Sequence, residues 1–195
     1  MARDLIARFE SERLDWVVVN AAGCGTSMKE YGRLLSGDPA WGARAEAFSA
    51  RVKDVTELLV LLGPVAPRGE VKATAACHDA CHLVHGQGIR TQPRRLLGAI
   101  PGLELVEIPD AEQCCGSAGV YNLLRPEEAE EIGRRKAASV LSTGADLLIS
   151  ANPGCTLQIQ RHLRETGRTI RAMHTVELLD ASIRAAAAHR RPELR

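Results

Sequence analysis

Five of the six cysteines lie in small groups that are far apart in the chain. Cys77 and Cys81 belong to CHDACH, Cys114 and Cys115 to QCCGSAG, and Cys155 ends NPGC. Thiolates are soft ligands that select iron–sulfur clusters, zinc or copper(I). Adjacent side chains diverge, so a Cys-Cys pair reaches neighbouring atoms of a multi-metal cluster more easily than it reaches one ion. The leading hypothesis is therefore that this stretch binds an iron–sulfur cluster.

Two other chemistries remain open for these residues. Cys77 with His78 and His82 could form a zinc site, because thiolate and imidazole both bind zinc, although the spacing matches no common zinc motif. Cys114 with Cys115, or Cys77 with Cys81, could instead be the redox pair of a thiol–disulfide protein. A C-x-x-C motif, the usual form of such a centre, is missing.

The remaining candidate residues have simpler interpretations. Gly116 follows the Cys-Cys pair, and glycine adopts positive φ readily and lets the backbone approach a bound group. Cys24 has no cysteine partner in its own part of the chain, so we expect a free thiol. His85, His162 and His174 are expected to be structural or surface groups.

Bulk composition indicates a cytoplasmic protein without a nucleic-acid partner. Lys and Arg number 25 against 24 Asp and Glu, for a net charge of +1, which gives no general attraction to nucleic acid or acidic lipid. The longest apolar run, residues 58–62, is far too short to cross a bilayer. We expect no direct membrane insertion, and any membrane association should come through a partner.

Short apolar runs alternate with longer helical patterns, which predicts an α/β fold with a mostly parallel sheet. The predicted strands cover residues 16–19, 71–76, 103–108, 146–151 and 169–172. The predicted helices cover residues 3–14, 27–35, 40–62, 78–85, 92–99, 126–142, 155–166 and 175–188. Each cysteine group follows a strand, and open α/β sheets bind their ligands at the carboxyl ends of their strands. The groups are therefore expected to converge.

The chain also contains an internal similarity. DWVVVNAAGC, residues 15–24, matches DLLISANPGC, residues 146–155, in frame. Further along, VTELL and TVELL follow in the same order, which suggests a duplication. The predicted organisation is one complete repeat preceded by the back half of another. Its parts are a partial first repeat (1–63), a linker (64–70), a complete repeat (71–188) and a tail (189–195).

Several sequence motifs and their spacings resemble those of a known family over residues 15–183. CHDACHLVHGQGIRTQP, QCCGSAGVYN, ANPGC and HTVELLD together resemble the C-terminal cysteine-rich region of the glycolate oxidase iron–sulfur subunit. The chain is similar, more broadly, to the CCG domains of heterodisulfide reductase. Those domains are paired α/β repeats whose cysteines hold an unusual [4Fe-4S] cluster.

The resemblance implies a set of ligands. Carried over, they are Cys77, Cys114, Cys115 and Cys155, with Cys81 as a further candidate. The family pattern ends in Cys-x-x-Cys, and this chain has asparagine in place of the first of those cysteines.

The resemblance also implies residues that contact the cluster without binding metal. Gly116, Ser117 and Asn152 are expected next to the cofactor, as hydrogen-bond donors to sulfur or as close neighbours. Asn152 stands where the family pattern has a cysteine.

The function implied by the resemblance is electron transfer. A flavin subunit would oxidise glycolate to glyoxylate, and this chain would pass the electrons toward the quinone pool without binding glycolate. The chain lacks the ferredoxin-like segment of that family and so resembles a fragment or a shortened relative. Its first helices carry apolar faces that must pack on the complete repeat, on a second copy or on a partner, so self-association is expected.

Overall fold

The computed structural model describes residues 1–63 and 66–189. The predicted linker therefore lies partly outside the described residues, at 64 and 65, and so does the predicted tail from residue 190 onward. Gly63 ends the helix before the linker with a φ of 74°.

Within the described residues the secondary structure alternates as expected. The strands are β1 Val17–Val19, β2 Val52–Asp54, β3 Ala73–His78, β4 Leu103–Glu107, β5 Leu147–Ser150 and β6 Arg171–Met173. The first helices are α1 Ala2–Ser11, α2 Ala22–Lys29, α3 Tyr31–Leu34, α4 Gly42–Arg51 and α5 Val55–Leu62. The later helices are α6 Thr91–Leu97, α7 Tyr121–Leu124, α8 Pro126–Ser142, α9 Pro153–Glu165 and α10 Thr175–His189, with a π-helical turn at His82–Gly86.

The main sheet is parallel throughout, which confirms the predicted fold class. Its strand order is β4-β3-β5-β6. Ala76 of β3 lies opposite Val106 of β4 on one side and Leu148 of β5 on the other. After β3 the chain forms β4 on one side of it and later forms β5 on its other side. The strand order therefore reverses between β3 and β5. Such a reversal leaves a crevice at the carboxyl ends of the strands, where open α/β sheets bind ligands.

A smaller parallel sheet pairs β1 with β2, and it corrects the predicted helix over 40–62. Val52 pairs with Val17 and Asp54 with Val19, so a strand separates α4 from α5. Asp54 then caps α5 by accepting a hydrogen bond from the Thr56 amide at 2.8 Å. Pairing with β1 is a long-range contact, and it overrides the local helical pattern.

The segment after β3 also differs from its prediction. A helix was expected over 78–85, but His78 is the last residue of β3 and the helical turn begins at His82. Ala80 is buried between them. The chain thus turns at residues 79–81, which places Cys81 beyond the end of the strand.

Two apolar layers cover the two faces of the main sheet. One buried cluster contains Ala76, Leu148 and Ile159, and it extends to Cys115 and Cys155. The opposite cluster contains residues from β3, α6 and α10, and α5 packs against it through Leu59 and Val60. Across the described helices, no stretch combines the length and the apolar character that crossing a bilayer demands.

The two segments that match in sequence share an order of elements. The first contains β1, α2, β2 and α5 in this order, with α3 and α4 between α2 and β2, and the second contains β5, α9, β6 and α10. The turns of the two segments touch, because the Ala22 amide donates to the Ala151 carbonyl at 3.1 Å. This order is what a duplication requires, and the division into repeats stays a prediction.

Candidate metal centre

The Cys-Cys loop is shaped by Gly116. Its φ is 88°, which confirms the expectation of a positive φ. A Cβ at this position would lie 2.4 Å from the carbonyl oxygen of Ala129 in α8, so the loop touches the helix backbone. Ile108 and Cys115 anchor the loop in the first core cluster. The Gly116 amide donates to the Cys114 sulfur at 3.4 Å.

Four thiols from three separate segments form one connected chain. Cys114 interacts with Cys115 and Cys81, and Cys115 interacts in turn with Cys155. The connected order is therefore Cys81, Cys114, Cys115, Cys155. The structure brings together four of the five cysteines proposed as ligands, as the convergence of strand ends predicts.

The protonation pattern alternates along this chain. The Cys115 thiol, followed by the Cys81 thiol, lowers the pKa of Cys114, and the Cys115 thiol also lowers the pKa of Cys155. The pKa values of Cys81 and Cys115 are raised, first of all by their interaction with the Cys114 sulfur. The interactions with neighbouring thiols thus favour ionisation of Cys114 and Cys155, and the thiolate is the form in which sulfur binds metals.

His78 and Asn152 complete the surroundings of Cys155. One ring nitrogen of His78 and the sulfurs of Cys115 and Cys155 all lie within 4.8 Å of one another, and all three residues are buried. The Asn152 amide donates to the Cys155 sulfur at 3.3 Å, and its oxygen accepts from the Gly23 amide at 3.3 Å. Where the family has a further cysteine, this chain therefore has a hydrogen-bond donor to sulfur.

Cys77 is not brought to this cluster. Successive residues of a strand point to opposite faces, so His78 and Cys77 cannot both face the crevice. Cys77 lies in the opposite core cluster, among Leu96 and Leu178. Burial raises the pKa of its thiol to about 12, which keeps it protonated. The predicted Cys77 ligand does not fit this geometry, and neither does a zinc site or a redox pair that includes Cys77.

The other sequence candidates occupy different positions. Ser117 is buried beside the start of α9, where a Cβ on Gly154 would lie 2.6 Å from the Ser117 hydroxyl oxygen. Cys24 is exposed on α2. His82 is exposed, and one of its ring nitrogens lies 3.5 Å from the Cys81 sulfur.

Lys136 is a neighbour of the site that the sequence motifs do not indicate. It follows Arg134 and Arg135 in a basic run of α8, yet Lys136 is 0% exposed. Its ammonium group donates to the carbonyl oxygens of Asp110 and Ala111 at 3.0 and 2.8 Å. Desolvation lowers its pKa, and the sulfurs of Cys115 and Cys155 act in the opposite direction. A buried cation thus supports the loop that carries the Cys-Cys pair.

Arg94 links the ends of two strands. Its guanidinium binds both carboxylate oxygens of Asp79 at 2.8 and 3.0 Å. It binds Glu107 at the end of β4 through a second pair of hydrogen bonds, at 2.8 and 2.7 Å. These bidentate pairs hold in place the turn that follows His78.

A second group of possible ligands already has partners. The buried ring of His162 binds Glu165 through Nδ1 at 2.9 Å, and its Nε2 lies 3.2 Å from the Gln158 amide. Arg161 pairs with both Glu130 and Glu165. The group is a hydrogen-bonded network between α8 and α9, as the structural interpretation of His162 predicts.

A parallel sheet with clustered thiols at its switch point defines a cysteine-rich α/β domain. Residues 75–160, which contain the whole site, match the family described as CCG, a cysteine-rich domain. The chain is 39% identical to the probable glycolate oxidase iron-sulfur subunit of Bacillus subtilis (strain 168), over 92% of this chain and 41% of that protein. The chain thus spans less than half the length of that relative.

Shorter relatives are covered more fully. The chain is 31% identical to lactate utilization protein A of Exiguobacterium sp. (strain ATCC BAA-1283 / AT1b), over 95% of this chain and 76% of that protein. It is 35% identical to lactate utilization protein A of Geobacillus kaustophilus (strain HTA426), over 86% and 70% respectively. The chain belongs to this family of CCG cysteine-rich proteins.

Proposed function

We propose that the chain holds an iron–sulfur cluster through Cys81, Cys114, Cys115 and Cys155 and serves as an electron-transfer subunit. The observation that carries this proposal is the connected chain of four thiols from separate segments. Such a set of soft donors suits iron–sulfur clusters. The ligand set differs from the sequence prediction because Cys81 takes the place of Cys77.

The surrounding residues tune this site. When bound, a cluster of this kind accepts and releases electrons at a potential set by hydrogen bonds to sulfur, net charge and solvent exposure. The amides of Gly116 and Asn152 donate to sulfur, and both stabilise negative charge there. Cys115 and Cys155 are 1% and 4% exposed, so these residues keep water away from the inner end of the site.

The names of the relatives support a proposal for the complex that the chain serves. The matched proteins are named for glycolate oxidation and for lactate utilization, and both compounds are small 2-hydroxy acids. We propose a flavin-containing partner that oxidises glycolate to glyoxylate, with this chain passing electrons toward quinone. Lactate is the second candidate substrate, because the chain covers more of the lactate utilization proteins. A cytoplasmic location fits the reduced thiols that the site requires.

Anaerobic reconstitution tests the proposal directly. We expect brown protein with about four iron and a comparable amount of sulfide per chain, the content of a [4Fe-4S] cluster. Iron, sulfide and zinc should be measured on the same sample. Less than one iron per chain, with zinc in its place, would overturn the proposal.

Replacing Lys136 by methionine should weaken retention of iron. The change removes the buried positive charge near Cys115 and Cys155 and the donor to Asp110 and Ala111. Outer residues of metal sites typically contribute about 10- to 100-fold in affinity, so we expect the rate of iron loss to a chelator to rise on the order of tenfold.

The matched control for this experiment is Arg135→Met. Arg135 is next to Lys136 in α8, but its side chain is exposed. It forms an exposed ion pair with Glu131 at 3.4 Å. Its replacement should leave iron loss unchanged. Equal rates for the two variants would show that the buried charge does not support the site.

A structural zinc module is the second candidate function. The grouping of His78, Cys115 and Cys155 within 4.8 Å favours it, because zinc binds four nitrogen or sulfur ligands in a compact tetrahedron. Colourless protein with about one zinc per chain after anaerobic purification would establish this alternative.

A further inference from the structure

His78 is a buried histidine whose ring has no conventional partner. It is 5% exposed and ends β3. Within the described part of the chain, neither of its ring nitrogens makes a conventional hydrogen bond; the ring interacts with the Cys155 sulfur instead. Buried polar side chains are nearly always hydrogen-bonded, so an imidazole whose only polar neighbours are sulfurs remains available to bind a metal ion.

The direction of the ring is set by the strand. Ala76 belongs to the first core cluster together with Cys115 and Cys155, and His78 stands two residues further along the same face. Cys77, between them, faces the opposite cluster. The imidazole therefore points into the crevice in which the thiols meet.

Distances place the ring among the sulfurs. One of its nitrogens lies within 4.8 Å of the sulfurs of both Cys115 and Cys155. The Cys155 sulfur already accepts a hydrogen bond from Asn152 at 3.3 Å. On the other side, the ion pairs of Arg94 fix Asp79, the next residue in the chain. The ring is thus held at the site by its strand and by the turn that follows.

We propose that His78 is a fifth, nitrogen ligand of the metal centre beside the four thiolates, so that the site is a mixed cysteine and histidine site. This inference rests on the proposed function. Iron–sulfur centres with imidazole in place of thiolate have higher reduction potentials, because a neutral ligand replaces an anionic one. The histidine would therefore make this centre easier to reduce than the same site with a fifth cysteine at this position.

Labelling the histidines with ¹⁵N tests the ligand directly. We expect pulsed electron paramagnetic resonance of the reconstituted, reduced full chain to show the strong coupling of a metal-bound ¹⁵N nucleus. His78→Ala should abolish this coupling, and His85→Ala should preserve it, because His85 is exposed and faces Glu112. Because one ring nitrogen of His82 lies 3.5 Å from the Cys81 sulfur, a coupling that persists in His82→Ala assigns the ligand to His78 even if His78→Ala fails to fold.

A second variant measures the effect on the potential. His78→Cys should shift the reduction potential to a more negative value, because an anionic sulfur replaces a neutral nitrogen. An iron-loaded wild-type protein without a bound-nitrogen coupling, or an unchanged potential in His78→Cys, would overturn this inference alone. Protein that takes up neither iron nor sulfide would overturn the proposed function and this inference with it.

Discussion

Replacing Cys115 by serine should leave the anaerobically reconstituted protein with less than about a tenth of the wild-type iron. Cys115 is the central member of the thiol chain, since it contacts both Cys114 and Cys155. A serine hydroxyl is a harder donor and does not ionise at neutral pH, so the site loses a soft anionic ligand. Even outer residues of metal sites contribute about 10- to 100-fold in affinity, and a direct ligand should contribute at least as much. Iron and sulfide per chain, with the visible spectrum, give the measurement.

The matched control is Cys77→Ala, which should retain the iron. Cys77 is as buried as Cys115 and Cys155, but it packs among leucines on the opposite face of the sheet. Cys81→Ser should lose the iron, because Cys81 contacts Cys114. Circular dichroism on each apo variant separates loss of ligand from loss of fold. Loss of iron from Cys77→Ala with retention by Cys81→Ser would restore the ligand set implied by sequence and contradict the structure.

Replacing Gly116 by alanine should lower the free energy of unfolding by about 2–5 kcal/mol. A positive φ costs a residue with a Cβ about 1–2 kcal/mol. The clash with the Ala129 carbonyl oxygen, at 2.4 Å, adds about 1–3 kcal/mol because the helix backbone cannot move aside cheaply. For a chain of this size, we expect the melting temperature of the apo protein to fall by roughly 5–15 °C.

Gly119→Ala separates the two causes. Gly119 belongs to the same loop and has a φ of 65°, but a Cβ there would meet nothing within 4 Å. This variant should lose only the conformational part, about 1–2 kcal/mol. Equal melting temperatures for the two variants would mean that the close approach of Gly116 to the Ala129 carbonyl oxygen adds no cost to the substitution.

Much of the fold could be predicted from sequence because its signals are local. Helix α8 was predicted over 126–142 and spans the same residues, since Pro126 stands in the first turn beside Glu127 and Glu128. Strands β3, β4 and β5 were found within a few residues of their bounds. β2 was missed because a three-residue strand has no period of its own and exists only through its pairing with β1.

The sequence by itself determined which segments carry the chemistry and that they meet. Cysteine groups placed after buried strands converge in a parallel sheet, whatever the details of packing. Positive φ at Gly116 likewise followed from a glycine beside two adjacent cysteines that share one site. The division of the chain into repeats stays a prediction.

Only the tertiary structure decided which neighbour faces the site. Cys77 and His78 are adjacent, and a shift of one residue in a strand exchanges the two faces. The sequence shows alternation but not which face lies toward the cysteine loops. Which face lies toward the cysteine loops depends on how the layers above and below β3 pack. In this structure Cys77 is a core residue, and His78 lies beside Cys115 and Cys155. The burial of Lys136 has the same origin, because a loop distant in sequence supplies the carbonyl oxygens that receive its charge.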